Sequence, residues 1–167
     1  MKKTIFIVDD DVDIVAMYKT ILEKEGYNVL TANDSKTGIP AIKNAKPDLA
    51  ILDVMMTYHY EGFEMRQTMS SDVELKDIPV VFTTSIDLLT TTDGQKESIQ
   101  AMAREFRTDP KFKDLDVLLI KNLANGLNGV DYKSEEGKNV YFEVDGFLRK
   151  PVKADALISE IASVLAK

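Results

Sequence analysis

A short apolar run near the start of the sequence ends abruptly at three aspartates, and this pattern constrains the fold strongly. Thr4 to Val8 is apolar and β-branched almost throughout, which is typical of a strand buried on both faces of a parallel sheet. Apolar residues then recur at helical spacing until Gly26, which can end a helix. The succession of strand and helix predicts a parallel sheet whose crossovers are helices.

The same alternation continues over most of the chain. Four more strands are predicted, at Tyr27 to Ala32, Leu49 to Leu52, Val80 to Thr84, and a segment ending Phe147-Leu148-Arg149-Lys150. The helices between and after them are predicted from Asp34 or Ser35 to about Ala45, shortened or kinked by Gly38 and Pro40, from Phe63 to about Ser70, and after Pro151. Five strands joined in this way predict a doubly wound α/β fold, whose ligand site lies beyond the carboxyl ends of the strands.

The stretch from Ser85 to Val144 is too long for a single crossover and must contain extra structure. Glu97 to Phe106 has helical periodicity, whereas Asp116 to Ile120 fits either a strand or a helix. Asn125 to Asn139 is rich in Gly, Asn and charge, which indicates a loop or a hairpin. We therefore expect an atypical insertion at residues 86–141 within a single domain of residues 1–167.

Composition excludes several classes of function. The 167 residues are 44% hydrophobic and carry a formal charge of −7, with Lys and Arg scattered, so neither direct nucleic-acid binding nor binding to an anionic membrane is expected. The chain has no cysteine, which rules out disulfides, thiol nucleophiles and cysteine metal sites. The apolar run after the first lysines is too short for a signal peptide, and no stretch reaches 18 apolar residues. We expect a cytoplasmic protein.

Chemically active side chains stand at the ends of the predicted strands. Asp9 and Asp10 follow the first strand, Asp53 the third and Thr84 the fourth, while Lys150 ends the fifth. Parallel strands would bring these residues to one edge of the sheet. Three carboxylates in one pocket repel each other and one lysine cannot balance them, so a divalent cation is expected. Oxygen ligands without soft donors favour Mg²⁺ or Mn²⁺.

A carboxylate beside a cation, a hydroxyl and an ammonium group can accept a phosphoryl group. The carboxylate attacks phosphorus while the positive charges offset the charge on the equatorial oxygens, which gives an aspartyl phosphate. Asp53 is the best candidate for the nucleophile because it ends a buried central strand.

Five ordered motifs resemble the response-regulator receiver domain of two-component signalling. They are Ile5-Phe6-Ile7-Val8-Asp9-Asp10, the segment from Pro47 to Met56, Gly62-Phe63-Glu64, the segment from Ile78 to Thr84, and Phe147-Leu148-Arg149-Lys150-Pro151. The resemblance covers about residues 2–84 and 142–166. It implies a flavodoxin-like sheet of order 2-1-3-4-5 with an extra segment between strands 4 and 5.

The resemblance also implies residue roles. Asp53 would be the phosphoacceptor, and Asp9, Asp10, Asp53 and the backbone carbonyl of Met55 would bind Mg²⁺. Thr84 and Lys150 would contact phosphoryl oxygens, and Phe147 would change rotamer together with Thr84. The phosphoryl donor would be a phosphohistidine of a sensor histidine kinase or a phosphotransfer domain, and the domain would catalyse its own phosphorylation. The family's peptide at Lys150-Pro151 is commonly cis.

Two departures from the family pattern concern the site loop and the output surface. The loop after Asp53 usually contains a proline and places the glycine eight residues after the acceptor, but here Gly62 follows by nine and no proline intervenes. Thr84 and Lys150 are 66 positions apart where the family has twenty-odd. Because only about 17 residues follow Lys150, we expect a stand-alone receiver that signals to an unknown downstream protein by altered protein–protein interaction.

Alternative interpretations remain open at this point. A haloacid-dehalogenase-like, Mg²⁺-dependent phosphohydrolase would use Asp9 as its nucleophile, and a phosphorylation-independent interaction module would keep the fold without the switch. Asp11 and Asp13 are expected to cap the first helix. His59, the only histidine, is expected to be a surface or structural residue. Apolar Met55 and Ile86, two residues after Asp53 and Thr84, predict slow spontaneous dephosphorylation.

Overall fold

The computed structural model describes residues 1–92 and 98–167, which form two compact units. Residues Met1–Ser85 and Gly146–Lys167 make the first unit, called here the parallel-sheet unit. Residues Ile86–Asp145 make the second unit, and the expected 86–141 insertion lies within it. Among the described residues, no helix is long and apolar enough to cross a membrane.

The parallel-sheet unit contains five strands and four helices. In chain order these are β1 (Thr4–Val8), α1 (Val12–Lys24), β2 (Asn28–Ala32), α2 (Ser35–Ala45), β3 (Leu49–Asp53), α3 (Glu61–Ser70), β4 (Val80–Thr84), β9 (Gly146–Arg149) and α5 (Ala154–Leu165). All neighbouring strands are parallel, in the order β2-β1-β3-β4-β9. The predicted doubly wound sheet of order 2-1-3-4-5 is confirmed, because β9 is its fifth strand.

One hydrophobic core lies on the side of the sheet that is covered by α1 and α5. Each helix contributes the apolar stripe that its sequence predicts, Tyr18 and Leu22 from α1 and Leu157, Ile161 and Val164 from α5. They pack with strand residues that include Ile5, Ile7, Ile51 and Val81, which are at most 1% exposed. Full burial of such side chains stabilises the fold by roughly 1.5–3 kcal/mol each. The core thereby fixes the strands whose ends carry the polar residues.

Helix α2 runs from Ser35 to Ala45 through Pro40, which lies inside it. Asp34 caps its first turn, since its carboxylate accepts hydrogen bonds from the Thr37 amide and hydroxyl. Gly38 allows close packing, because a Cβ there would lie 3.0 Å from Cε of Met65 and 3.3 Å from a methyl of Val8. Gly38 and Pro40, which were expected to shorten or kink this helix, both lie within its predicted span.

The second unit is a four-stranded sheet with one helix. Its elements are β5 (Leu88–Thr91), α4 (Ile99–Thr108), β6 (Val117–Asn122), β7 (Asn128–Lys133) and β8 (Asn139–Val144). The strand order is β5-β6-β7-β8, in which β5 and β6 are parallel and the other pairs antiparallel. Ile99, Met102 and Ala103 of α4 pack against Leu118 and Ile120 of β6.

The structure resolves the predictions for the inserted segment. The stretch Asp116 to Ile120 is largely strand β6, and the Gly- and Asn-rich stretch contains β7 and the turn into β8, so it forms a hairpin. The predicted helix at Glu97 to Phe106 corresponds to α4, although Glu97 itself lies outside the described residues. The rings of Tyr132 in β7 and Phe142 in β8 meet edge to face at 6.2 Å.

Candidate functional site

The site is built from side chains at the carboxyl edge of the parallel sheet. The ammonium nitrogen of Lys150, which follows β9, lies 3.1 Å from Oδ1 of Asp53 at the end of β3. The same nitrogen lies 3.3 Å from Oδ2 of Asp9, the residue after β1. One lysine therefore contacts two carboxylates that are 44 residues apart in sequence. The parallel register brings together residues that the sequence places at three different strand ends.

A cluster of three carboxylates surrounds this contact. One oxygen from each of Asp9, Asp10 and Asp53 lies within 4.8 Å of the others. Asp9 and Asp53 are 1% and 4% exposed, whereas Asp10 is exposed to solvent. The Asp11 amide donates a 2.9 Å hydrogen bond to Oδ1 of Asp9, which fixes the orientation of that carboxylate. The donors of this cluster are all hard oxygens, and this donor set fits Mg²⁺ or Mn²⁺.

Burial and mutual repulsion change the acid–base behaviour of the site. Burial, followed by the charge of Asp9, raises the pKa of Asp53 to about 6, although Lys150 pulls it in the opposite direction. Burial opposes the charged form of Lys150, but the contacts with Asp53 and Asp9 outweigh this effect and raise the pKa of its ammonium group. The lysine is thus held charged, while the three carboxylates retain an excess of negative charge that a divalent cation can neutralise.

Thr84 and Phe147 lie on the neighbouring strands β4 and β9. Thr84 is 3% exposed at the end of β4, and its carbonyl accepts a 2.7 Å hydrogen bond from the Lys150 amide. This bond extends the pairing of β4 with β9 to the residue that carries the ammonium group. The peptide between Lys150 and Pro151 is cis, as the resemblance implies. Phe147 is 4% exposed and stacks on Phe82 at a centroid distance of 6.4 Å.

The loop after Asp53 closes tightly on the strand that precedes it. The Gly62 amide donates a 3.0 Å hydrogen bond to the carbonyl of Val54, and a Cβ at position 62 would lie 2.2 Å from the carbonyl oxygen of Asp53. Tyr60, the residue before α3, adopts the left-handed conformation, with φ 62°. Met55, two residues after Asp53, is 44% exposed.

Asp11, Asp13 and His59, which the sequence also drew attention to, lie at the start of a helix or in an exposed loop. The carboxylate of Asp11 accepts hydrogen bonds from the amides of Asp13 and Ile14 and caps α1, while Asp13 lies in the first helical turn. His59 is exposed in the loop, where its ring lies 5.9 Å from that of Tyr60. His59 is not a member of the acidic cluster formed among the described residues.

One buried residue near the site was not anticipated from the sequence. Glu61 is 2% exposed at the start of α3, and its Oε2 atom is buried without a hydrogen-bond partner in the described part of the chain. Burial raises its pKa, and the charges of Asp34 and Asp10 add to that effect. The sequence feature that could have drawn attention to Glu61 is its position directly before Gly62, at the end of the loop that follows Asp53.

Comparison with known sequences identifies the family. The response regulator receiver domain family matches residues 5–107. The chain belongs to this family. The transcriptional regulatory protein YvrH of Bacillus subtilis is 33% identical over 156 residues, which are 93% of this chain and 62% of that protein. Protein PilH of Pseudomonas aeruginosa is 31% identical over 109 residues, which are 64% of this chain and 84% of that protein.

Solved receiver structures share the fold of this receiver chain. The chemotaxis response regulator CheY4 of Vibrio cholerae aligns with a TM-score of 0.61 and 20% identity, covering 98% of this chain and 99% of that one. The signal receiver domain of a histidine kinase from Syntrophus aciditrophicus gives the same TM-score and identity, covering 98% and 90%. These matches support the receiver interpretation of the sequence and lend nothing to the haloacid-dehalogenase-like alternative. The chain spans less than two thirds of YvrH.

Proposed function

We propose that this receiver chain is a phosphorylation-dependent signalling switch in which Asp53 accepts a phosphoryl group from a phosphohistidine of a sensor histidine kinase or phosphotransfer protein. The observation that carries the proposal is the contact of Lys150 with Asp53 inside the three-carboxylate cluster. A nucleophile, a fixed positive charge and a set of cation ligands are thereby combined at one strand edge. This combination suits the transfer of a phosphoryl group to a carboxylate.

In the proposed transfer, a carboxylate oxygen of Asp53 forms a bond to phosphorus as the bond from phosphorus to the imidazole nitrogen breaks. The electron pair of the broken bond stays on that nitrogen, and a proton on the other ring nitrogen makes the leaving group a neutral imidazole. Asp53 is ionised above about pH 6, so it can act as a nucleophile at neutral pH. Lys150 lies within reach of an oxygen of the transferred group and offsets its charge.

Asp9, Asp10, Asp53 and the Met55 carbonyl would hold Mg²⁺. Bound there, the ion would offset negative charge on the phosphoryl oxygens and on the carboxylates themselves. The excess of carboxylates over cationic groups in the cluster supports this assignment. Asp9 is oriented by the Asp11 amide, so at least one ligand is held in place before the ion binds.

The conformational part of the proposal concerns β4, β9 and α5. A phosphoryl group on Asp53 would accept a hydrogen bond from the Thr84 hydroxyl, and Phe147 would then change its rotamer. The surface formed by β9 and α5 would then change its population of conformations, and this change would alter binding to a downstream protein. The register supports this coupling, since Thr84 pairs with Arg149 and Phe82 pairs with Phe147. The cytoplasmic location expected from the sequence belongs to the same proposal.

The proposal is tested by incubating the protein with Mg²⁺ and a small phosphodonor such as acetyl phosphate, followed by mass spectrometry of the intact chain and its peptides. We expect one phosphoryl group, located on Asp53, and its loss in Asp53→Asn. Asp13→Asn is the matched control, because Asp13 is an exposed acid in the first turn of α1 and lies outside the cluster. Phosphate on Asp9 would instead support a phosphohydrolase, and labelling that persists in Asp53→Asn would refute the assignment.

A further inference from the structure

The second unit is attached to the two strands that carry the proposed switch residues. Thr84 ends β4, and only residues 85–87 separate it from β5. At the other attachment, Asp145 alone separates β8 from β9, and Phe147 is the second residue of β9. β5 and β8 are the two outer strands of the four-stranded sheet. A change at Thr84 or Phe147 therefore has a short covalent path to each edge of that sheet.

Asn128 holds the chain at the point where β8 passes into β9. Its side-chain nitrogen donates a 3.2 Å hydrogen bond to the carbonyl of Asp145 and another of 3.2 Å to the carbonyl of Gly126. Both partners are carbonyl oxygens, which can only accept hydrogen bonds, so the nitrogen of the side-chain amide must face them. One side chain thereby joins the residue before β9 to the turn between β6 and β7.

The turn that Asn128 reaches is closed by backbone hydrogen bonds and carries exposed apolar side chains. The Gly126 amide donates a 2.8 Å hydrogen bond to the carbonyl of Asn122, and the Asn122 amide donates one of 2.9 Å to the carbonyl of Leu127. Leu123 and Leu127 are nevertheless 56% and 37% exposed. The turn is thus held as one piece, and a shift of its backbone moves both leucines.

The burial of Asn128 is unfavourable by itself. The residue is 3% exposed, and its Oδ1 atom is buried without a hydrogen-bond partner among the described residues. An unpaired buried acceptor destabilises the folded state. Its cross-strand partner in β8 is Val144, so an apolar side chain would suit the sheet at this position. An apolar side chain could not, however, donate the two hydrogen bonds to Asp145 and Gly126.

We propose that the second unit is the output element of the switch and that Asn128 couples its β6–β7 turn to β9. The inference rests on the proposed phosphorylation of Asp53 and deepens it, since it names the part of the chain that carries the signal. A rotamer change at Phe147 alters β9, the Asp145 carbonyl moves with that strand, and the hydrogen bonds of Asn128 pass the change to the turn. The conformations of the turn, and with them the positions of its two leucines, shift in population.

The test is amide hydrogen exchange of the full chain, measured by mass spectrometry of its peptides before and after phosphorylation with acetyl phosphate and Mg²⁺. In the unaltered protein we expect phosphorylation to change the exchange rates of residues 123–133 by at least about fivefold. Asn128→Leu lacks the two donor bonds, and we expect the change in its turn to fall below about twofold. Asn128→Asp also lacks the N–H donors and should give the same result, so the test stands if the leucine variant folds poorly.

Two controls separate the coupling from other effects. Asn139→Leu replaces an exposed asparagine in β8 of the same sheet and should keep the response of the unaltered protein. Asp53→Asn, treated with the same phosphodonor, should show no response in the turn. The Asn128 variants should be phosphorylated as fully as the unaltered protein, because Asn128 lies outside the acidic cluster.

The phosphate on Asp53 is quantified in every sample, so the inference and the proposed function fail separately. Phosphorylation of Asp53 without any change in the turn would overturn the inference alone. An undiminished response in both Asn128 variants, or a loss of their phosphorylation, would overturn the role of Asn128. Absence of phosphate from Asp53 in the unaltered protein would overturn the proposed function as well.

Discussion

The ammonium group of Lys150 lies 3.1 Å from a carboxylate oxygen of Asp53, and this contact favours the charged form of the proposed phosphoacceptor. Burial and Asp9 raise the pKa of Asp53, and Lys150 is the group that opposes them. The lysine therefore keeps the carboxylate more ionised near neutral pH than the buried site alone would allow.

Replacement of Lys150 should show how far this lysine lowers the pKa of Asp53. In Lys150→Met we expect the pKa of Asp53 to rise by about one unit or more above that of the unaltered metal-free protein, because the neighbouring positive charge is lost. The measurement is a pH titration of the Asp53 carboxyl by ¹³C NMR. Lys153→Met is the control, since Lys153 is exposed and lies just before α5. An unchanged titration in Lys150→Met would contradict the assigned role of the contact.

The stability of the metal-free protein should depend on pH through the same residue. Asp53 has a pKa of about 6 in the folded chain against an ordinary value of 3.8, so the folded state binds this proton more tightly than the unfolded chain. The contribution of Asp53 to stability is therefore most favourable below about pH 4 and is lost as the pH rises through 6. The effect of Asp53→Asn on the free energy of unfolding, measured against the unaltered protein, should therefore be more stabilising at pH 7 than at pH 4 by about 1–3 kcal/mol.

Urea unfolding in the presence of a chelator measures this difference at both pH values. Asp13→Asn provides the comparison, because it removes an exposed acid on α1. If Asp53→Asn and the unaltered protein lose stability equally between pH 4 and pH 7, the raised pKa is refuted. Saturating Mg²⁺ should reduce the difference in stability between Asp53→Asn and the unaltered protein, since a cation at the site favours the ionised carboxylate.

Strands β1, β3 and β4 could be predicted from the sequence because they are buried along nearly their whole length and are therefore largely apolar, whereas β2 is mostly exposed. The observed β1 and β4 have the predicted bounds, and β2 begins one residue later than predicted. The ends of these runs also identify Asp9 and Asp53 as strand-end acids. Parallel geometry then suffices to bring them to one edge of the sheet.

Features that depend on tertiary proximity could not be predicted in this way. Strand β5, from Leu88 to Thr91, is only four residues long and partly exposed, so it has neither a continuous apolar run nor a clear alternation. Glu61 is 2% exposed although it is an acid in the first turn of α3, a position that is usually open to solvent. A single sequence offers no pattern that distinguishes this buried acid from Glu64, an exposed acid in the same turn.

Gly62 should be essential for the closure of the loop on β3. A Cβ at this position would meet the Asp53 carbonyl oxygen at 2.2 Å, and backbone atoms can relieve such a contact only by moving the loop. We expect Gly62→Ala to lower the free energy of unfolding by roughly 2 kcal/mol or more. Gly26→Ala is the comparison, because that glycine has φ 94° but nothing within 4 Å of the added Cβ, so only the cost of the backbone conformation of about 1 kcal/mol applies. Equal losses in the two variants, measured by chemical denaturation, would show that the loop is free to move.

Met55 should slow the hydrolysis of phosphorylated Asp53. Its side chain is 44% exposed two residues after the acceptor, where it offers no oxygen or nitrogen that could orient an attacking water molecule. Met55→Asn places an amide at this exposed position, and we expect the dephosphorylation rate to rise by about tenfold, because an oriented water molecule needs less entropy loss to reach phosphorus. Met55→Leu retains an apolar side chain of similar size and should leave the rate within about twofold. The decay is followed by mass spectrometry after removal of the phosphodonor, with Mg²⁺ kept constant. A marked acceleration in Met55→Leu would contradict the role assigned to Met55, because packing rather than the absence of a polar group would then set the lifetime.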